Sequence, residues 1–542
     1  MKMNSWHTPL FNMLSQHAAL NPLSLHVPGH QYGHVLQQLP PQVRASFESI
    51  MRLDVTELSV TDDLHQPEGA IHEAQQLAAQ LYGAEETYFL IGGSTSGNLA
   101  LLLSQCPRDA ILITQRNVHK SILNGIMLSG AQAVFLSPQL DAASGLPTVP
   151  ALADLEQALS LYPQAAAVLL SSPNYYGQGV HLQAYAELVH RYGIPLLIDE
   201  AHGAHYGLHP KLPGGAVKAG ADAVVQSTHK TLPALTMGAM LHIQGPLIDR
   251  GRLRQTLAAI QSSSPSYPIM ASLDVARAAC AHQGTTLFDR ALAVSISLRQ
   301  AICEQLPWVG AVAGGLGASC SVPEDGKSND QPPSAQVQQA AVDTVDPLRL
   351  CIYDRTDGIS GYDWQKQLER EGIWAEMADT RYCVLLIGLS VGDAEASRML
   401  RALHTISERC RLKERWIEAA SDHASETAAE SIAAASAVPA SRQKQMYGGM
   451  ATIWSASPSR VSEPVRLSWF DRTSEATEQV RLQDSAGKIC AEMITPYPPG
   501  IPILYPGERL TPEVIAVISS LSGQGAKFQG ASDPTMMRIK VY

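Results

Sequence analysis

The chain has 542 residues, room for three or four domains at roughly 150 residues each and for large buried cores. Hydrophobic residues make up 45% and charged residues 16%, with Lys+Arg 39 against Asp+Glu 50 and a formal net charge of −11; without a basic footprint, nucleic acid is disfavoured as the main partner. No apolar run approaches the roughly 18–20 uninterrupted residues of a membrane helix, and the opening Met1-Lys2-Met3-Asn4-Ser5-Trp6-His7 lacks the apolar core of a secretory signal, so the expected location is the cytosol, away from membranes.

Residues 1–50 read as an N-terminal arm or linker, and residues 51–290 as a large domain. Within 68–81, Ile71, Ala74, Ala78 and Leu81 fall at helical spacing and Gly83 follows as a left-handed cap. Short apolar runs then alternate with longer helix-like stretches, with strands expected over 88–91, 110–114, 133–136, 166–171, 195–199, 223–226 and 239–243. Most of these are apolar throughout, as strands covered on both faces must be, so the expected architecture is α/β with a mostly parallel seven-stranded sheet. Over 291–412 the rhythm changes. Strands at 348–353 and 383–389 and helices at 364–370 and 394–410 describe a smaller α+β domain, interrupted by a polar insertion at about 319–342. A linker rich in Ala and Ser follows at 413–445, and 446–542 forms a C-terminal α+β domain. Its run Thr495-Pro496-Tyr497-Pro498-Pro499-Gly500-Ile501-Pro502 reads as a rigid extended loop, because proline fixes φ and gives up a donor.

The eight cysteines (Cys106, Cys280, Cys303, Cys320, Cys351, Cys383, Cys410, Cys490) contain no Cys-x-x-Cys pair. They read as reduced, mostly buried thiols, with no metal site and no disulfide framework.

Ser227-Thr228-His229-Lys230 comes directly after an apolar strand, at the sheet edge where ligands sit in open α/β folds. Alone, Lys230 would read as a solvated loop charge. Asp199, however, ends another apolar strand, where an acid is costly unless it meets a cation; a protonated pyridine nitrogen is such a cation, and capping the next helix is the alternative use. Gly92-Gly93-Ser94-Thr95-Ser96-Gly97-Asn98 sits between a strand and an apolar run and can cradle a phosphate with backbone N–H groups and hydroxyls. It has neither the Walker lysine nor the dinucleotide spacing. His119, a few residues past a third strand, can lie over a flat ring and assist proton transfer, or stand as a surface loop histidine. Ser227 is close enough to Lys230 to bond the same phosphate. A ring-nitrogen acid, a phosphate turn, a stacking histidine and a Schiff-base lysine, each at a strand end, describe a pyridoxal 5'-phosphate site.

The segments His26-Val27-Pro28-Gly29-His30, Asp62-Asp63-Leu64-His65-Gln66-Pro67-Glu68-Gly69, Gly93-Ser94-Thr95-Ser96-Gly97-Asn98, Arg116-Asn117-Val118-His119-Lys120-Ser121, Asp199-Glu200-Ala201-His202, Ser227-Thr228-His229-Lys230 and Pro496-Tyr497-Pro498-Pro499-Gly500-Ile501-Pro502 resemble the ornithine/lysine/arginine decarboxylases of fold type I. The resemblance implies a pyridoxal-phosphate-dependent decarboxylase of a basic amino acid. It assigns Lys230 to the Schiff base, Asp199 to the ring nitrogen and His119 to the ring face. Ser94, Thr95, Ser96 and Ser227 go to the phosphate, Ala201 and His202 line the cofactor, and His229 stands beside the reacting carbon. The larger members carry an N-terminal response-regulator-like wing, for which the early motifs leave no room. They also tend to have Trp where this chain has His202, and often Lys where it has Gln31. The chain therefore resembles the shorter, Bacillus-type members, which points to arginine as substrate ahead of lysine or ornithine. Glu492, Glu508 and Asp63 are candidates for binding the cationic tail.

An aminotransferase or aldolase on the same fold would share Lys230, Asp199 and the phosphate turn, and a silent regulatory homologue would be expected to lack one of them. The resemblance further implies a homodimer or dimer of dimers, with Ser262-Ser263-Ser264-Pro265-Ser266-Tyr267 offering hydroxyls to the neighbouring site.

Overall fold

The computed structural model describes residues 6–312, 341–423, 460–467, 477–497, 501–523 and 525–542. Every one of the seven expected strands forms: Glu86–Leu90, Ile111–Gln115, Gln132–Leu136, Ala167–Ser171, Leu196–Asp199, Ala223–Gln226 and Ala239–Ile243. Among the described residues the sheet they build has eight strands. Its order is Glu86–Leu90, Ala239–Ile243, Ala223–Gln226, Leu196–Asp199, Ala167–Ser171, Ile111–Gln115, Gln132–Leu136 and finally Val465–Arg466. The added strand pairs antiparallel with Gln132–Leu136 and covers an edge that would otherwise present unpaired backbone groups. Five adjacent strands, from Gln132–Leu136 across to Ala223–Gln226, run parallel. Ala239–Ile243 runs against both of its neighbours.

Successive strand residues point to opposite faces, and both faces are covered. Leu112, Ala133, Leu169, Leu197 and Val225 join one core with Leu101, Ile122 and Leu253. Ile113, Val134, Val168, Ile198 and Val224 join the other with Leu155, Tyr185 and Val189. Full burial of each Leu or Ile contributes about 1.5–3 kcal/mol, which is why these strands read as unbroken apolar runs. Helix Gly93–Gln105 lies close on the sheet because Gly97 has no side chain: a Cβ there would meet Leu90 Cδ1 at 2.7 Å and Val225 Cγ1 at 3.0 Å.

The helix Ala70–Tyr82 ends on Gly83 at φ 78°, the left-handed cap read from the sequence. The first part of the expected N-terminal arm is built into the body. Helix Pro9–Ala19 buries Leu10 and Leu14 against Ile71, Ala74 and Tyr267, and Leu10 N–H donates to Asp274 at 3.0 Å. The later part stays outside, since helix Pro41–Met51 buries none of its residues.

The smaller domain is an antiparallel sheet ordered Met377–Ala378, Cys383–Leu386, Arg349–Asp354 and Val309–Ala311. Helices Gly361–Arg370 and Asp393–Arg409 accompany it, the first started by a Ser360/Asp363 capping box. Of the polar insertion expected over 319–342, only 341–342 fall within the described residues. Of the linker at 413–445, residues 413–423 do, and helix Leu412–His423 includes them. In the C-terminal region, Glu478–Arg481 pairs with Arg538–Val541 beside helix Pro512–Gly523. The proline run departs from a plain loop at its start, where Pro496–Tyr497 pairs with Lys527–Phe528; residues 498–500 lie outside the described residues. Proline is tolerated at the first position of so short a ladder because no donor is required of it there.

Cys106, Cys280, Cys351, Cys383, Cys410 and Cys490 are free thiols. Cys303 is disulfide-bonded, which corrects the expectation of reduced thiols throughout; scattered spacing gives no signal for such a pairing. Among the described residues no helix is long and apolar enough to cross a membrane.

Candidate active site

The parallel strands point their carboxyl ends at one edge of the sheet, and the sequence places a functional group just past most of them. Asp199 closes Leu196–Asp199 and is buried. Its carboxylate accepts from Asn98 Nδ2 at 3.0 Å and from Ala201 N–H at 3.2 Å. Burial raises its pKa, opposed by the nearby Lys230 charge and these two donors. Such a buried acid is stabilised by a cation.

Lys230 sits in the single turn Thr228–Thr231 that follows Ala223–Gln226. Its Nζ lies 3.1 Å from His202 Nε2 and 6.0 Å from the centre of the Tyr175 ring. Burial lowers its pKa and Arg349 adds to that, while Asp199 and Glu376 oppose it. The Tyr175 ring leans on the His202 ring with centroids 4.6 Å apart.

His119 is the N-cap of helix Lys120–Ser129, and its Nδ1 accepts from the Ser121 N–H at 3.2 Å. Burial, with the charges of Lys230 and Lys120, lowers its pKa to about 4, so the ring is neutral at ordinary pH. His229 donates from Nδ1 to the Gly238 carbonyl at 2.9 Å. A carbonyl can only accept, so Nδ1 holds a proton and Nε2 lies outside this contact.

The glycine turn opens helix Gly93–Gln105, with Gly93 at φ 70°. A Cβ on Gly92 would crowd Ser96 Oγ at 3.2 Å, so the turn is tight enough to favour glycine there. Ser96 is buried and donates to the Gly93 carbonyl at 2.8 Å, Ser94 is half-buried and Thr95 exposed. Ser227 Oγ and Thr228 Oγ1 are buried without a hydrogen-bond partner among the described residues. An unpartnered buried hydroxyl costs about 1–3 kcal/mol, and a phosphate would satisfy it. A phosphate cradle with orphan hydroxyls, a buried acid awaiting a cation, a neutral histidine and a lysine with lowered proton affinity together fit pyridoxal phosphate.

The three acids expected for the substrate tail each have partners of their own. Glu492 accepts from Ser532 N–H and Lys540 N–H, each at 2.6 Å, and from Ser532 Oγ at 3.0 Å. Glu508 pairs with Arg116, whose guanidinium lies 4.2 Å over the Tyr505 ring. Asp63 is exposed and holds the His65 N–H at 2.7 Å. Three residues that the sequence reading passed over do act on Lys230: Tyr175, Arg349 and Glu376. Tyr175 follows a strand end too, a signal that could have found it. Arg349 and Glu376 come from the smaller domain, and nothing local marks them.

The family profile described as "Orn/Lys/Arg decarboxylase, major domain" matches residues 8–397, and that described as "Orn/Lys/Arg decarboxylase, C-terminal domain" matches residues 450–532. The chain belongs to the Orn/Lys/Arg decarboxylase family. By that membership it is an amino-acid decarboxylase. It is 37% identical over 541 residues to the uncharacterized protein YaaO of Bacillus subtilis (strain 168), covering 99% of this chain and 98% of that one. It is 30% identical over 544 residues to the arginine decarboxylase of the same organism, covering 99% and 98%. Among solved structures, the constitutive lysine decarboxylase of E. coli superposes with a TM-score of 0.75 at 22% identity, over 99% of this chain and 82% of that one; at that identity the likeness speaks for the fold, which is fold type I.

Proposed function

We propose that this decarboxylase uses pyridoxal phosphate attached through Lys230 to convert L-arginine to agmatine and CO2. The observation that carries the cofactor reading is the convergence of Lys230, Asp199, His119 and the orphan Ser227 hydroxyl at one sheet edge. When bound, pyridoxal phosphate supplies an electron-accepting ring that stabilises charge left on the substrate α-carbon. Asp199 would hold the ring nitrogen's proton, with Asn98 and the Ala201 N–H fixing the carboxylate. His119 would cover the ring as a neutral imidazole oriented by Ser121. Ser94, Thr95, Ser96 and Ser227 would bind phosphate, and Ala201 and His202 would line the ring's other boundary. His229, with Nδ1 tied to Gly238, would carry a proton at Nε2 to or from the α-carbon.

For the substrate tail we favour Glu376 over Glu492, Glu508 and Asp63. Its side chain is exposed and forms no ion pair among the described residues, yet its charge is felt at both Lys230 and Tyr175. A guanidinium can engage such a carboxylate through two parallel bonds, which an ammonium cannot. The arginine decarboxylase relatives at 30–32% identity support the same substrate.

The assembly we propose is a homodimer or dimer of dimers. Leu20, Leu23, Leu25 and Val27 are between 63% and 86% exposed, a cluster that a lone subunit would leave in water. The segments 62–69 and 262–267, two of the sequence motifs, meet: His65 Nε2 lies 2.9 Å from the Ser262 carbonyl, and Tyr267 donates to the Asp62 carbonyl. The hydroxyls of Ser262 to Ser264 remain on the outside, available to a neighbour.

The test is CO2 release from carboxyl-labelled arginine, lysine and ornithine, offered in direct competition to enzyme supplied with pyridoxal phosphate. Arginine should give the highest kcat/KM by about ten- to a hundredfold, a difference of on the order of 1–3 kcal/mol. A preference for lysine or ornithine would overturn the substrate, and amino-group transfer without CO2 would overturn decarboxylation.

A further inference from the structure

Behind Lys230 runs a line of buried polar groups that reaches into the smaller domain. Arg349, at the start of strand Arg349–Asp354, is 2% exposed, and its Nη2 lies 2.7 Å from His202 Nδ1. His202 is also buried, and its Nε2 lies 3.1 Å from Lys230 Nζ. Beyond Arg349, Asp346 is fully buried, 4.0 Å from Arg349 Nε and 3.1 Å from His205 Nε2.

Hydrogen-bond chemistry fixes the direction of this line. A guanidinium carries five donors and no acceptor and keeps its proton in proteins, so His202 Nδ1 must accept. A neutral imidazole has one N–H, which is then on Nε2 and points at Lys230. An ammonium has no lone pair to receive it; an amine does. Desolvation, with the charge of Arg349, keeps His202 from taking a second proton.

We propose that Arg349 is a positioning residue that acts through His202 to hold Lys230 as an unprotonated amine, ready to attack a carbonyl carbon. The inference rests on the reading of Lys230 as the cofactor-bearing lysine. Asp199 and Glu376 oppose it by favouring the charged lysine, Arg349 favours the amine, and His119 and His229 are the other titratable groups felt at His202. The hydrogen-bond line settles the contest, because it is satisfied only when Nζ accepts.

The experiment uses the full chain freed of cofactor, with two readouts that do not depend on turnover. Nitrogen-15 NMR of labelled histidine, with His202 assigned by its loss in His202→Phe, should find Nδ1 unprotonated and Nε2 protonated. The pH profile of Lys230 labelling by trinitrobenzenesulfonate, read by peptide mass spectrometry, should show about tenfold slower labelling near neutral pH in Arg349→Met, equivalent to one pH unit. Arg349→Lys keeps both a charge and a donor and should label as the parent does. His202→Phe keeps the Arg349 charge but removes the line, and should slow labelling like Arg349→Met. A proton found on Nδ1 of the parent would overturn the proposal. So would parent-like labelling in His202→Phe, which would leave the Arg349 charge alone as the cause. If Arg349→Met fails to fold, the parent's tautomer and His202→Phe still decide. Should borohydride fix the cofactor to another lysine, the function reading falls, whatever the tautomer shows.

Discussion

The half of the site that would hold the ring and phosphate and the half that would meet the substrate tail are built in different ways. The first is made by residues that end neighbouring strands of one sheet, Asp199 and the Ser227–Lys230 turn among them, with the glycine turn and His119 alongside; most are buried and tied to a neighbour. The second, as proposed, would depend on Glu376, an exposed residue of the smaller domain that comes just before strand Met377–Ala378. Strand ends are placed by the sheet's own hydrogen bonds, so their chemistry stays in register with the fold. A group carried on a second domain reaches the site only through the packing of the two bodies, and its charge acts in water as well as in the site. The first half should tolerate almost no change, whereas the second should tolerate change at a cost to substrate affinity.

Lys230→Ala carries the largest expected effect. Steady-state decarboxylation should fall by roughly a thousandfold or more, since a lysine proposed to carry the cofactor cannot be replaced by its neighbours; turnover within tenfold of the parent would break the strand-end account. Asp199→Asn keeps the volume but loses the charge proposed to face the ring nitrogen. A folded protein with decarboxylation reduced roughly a hundredfold or more is expected, read by circular dichroism beside turnover, and near-parent turnover would remove Asp199 from that role.

Those two groups were also the most legible in the sequence, and for the same reason. Asp199 interrupts an otherwise apolar strand, and a charge in that position has to be spent on something. The glycine turn is likewise visible because it follows an apolar run directly, and His119 because it comes a few residues past one. The eighth strand, Val465–Arg466, was not legible, since a two-residue pairing carries no periodicity. Nor were Arg349 and Glu376, whose relation to Lys230 exists only after the smaller domain has packed against the sheet. The acids that were named from the sequence, Glu492, Glu508 and Asp63, looked plausible by charge alone, but their carboxylates meet backbone donors or Arg116.

Glu376→Gln sharpens the contrast between the halves. It should raise KM for arginine by about ten- to a hundredfold, as the loss of a charged hydrogen bond worth about 1.5–3 kcal/mol would, with kcat changed only a few-fold. A fall in kcat with KM unchanged would move Glu376 away from the tail. The smallest kinetic effect is expected from Glu492→Gln, which should lower Tm by disturbing the Ser532 and Lys540 backbone contacts while leaving KM within about twofold, by the weak dependence of a remote site on such a change.

The attachment point is the most direct test of the whole arrangement. Reduction of the pyridoxal-phosphate-loaded enzyme with borohydride, followed by digestion and peptide mapping, should place the reduced cofactor on the peptide containing Ser227 to Lys230, at Lys230. A reduced cofactor on any other lysine, or none retained at all, would contradict the account.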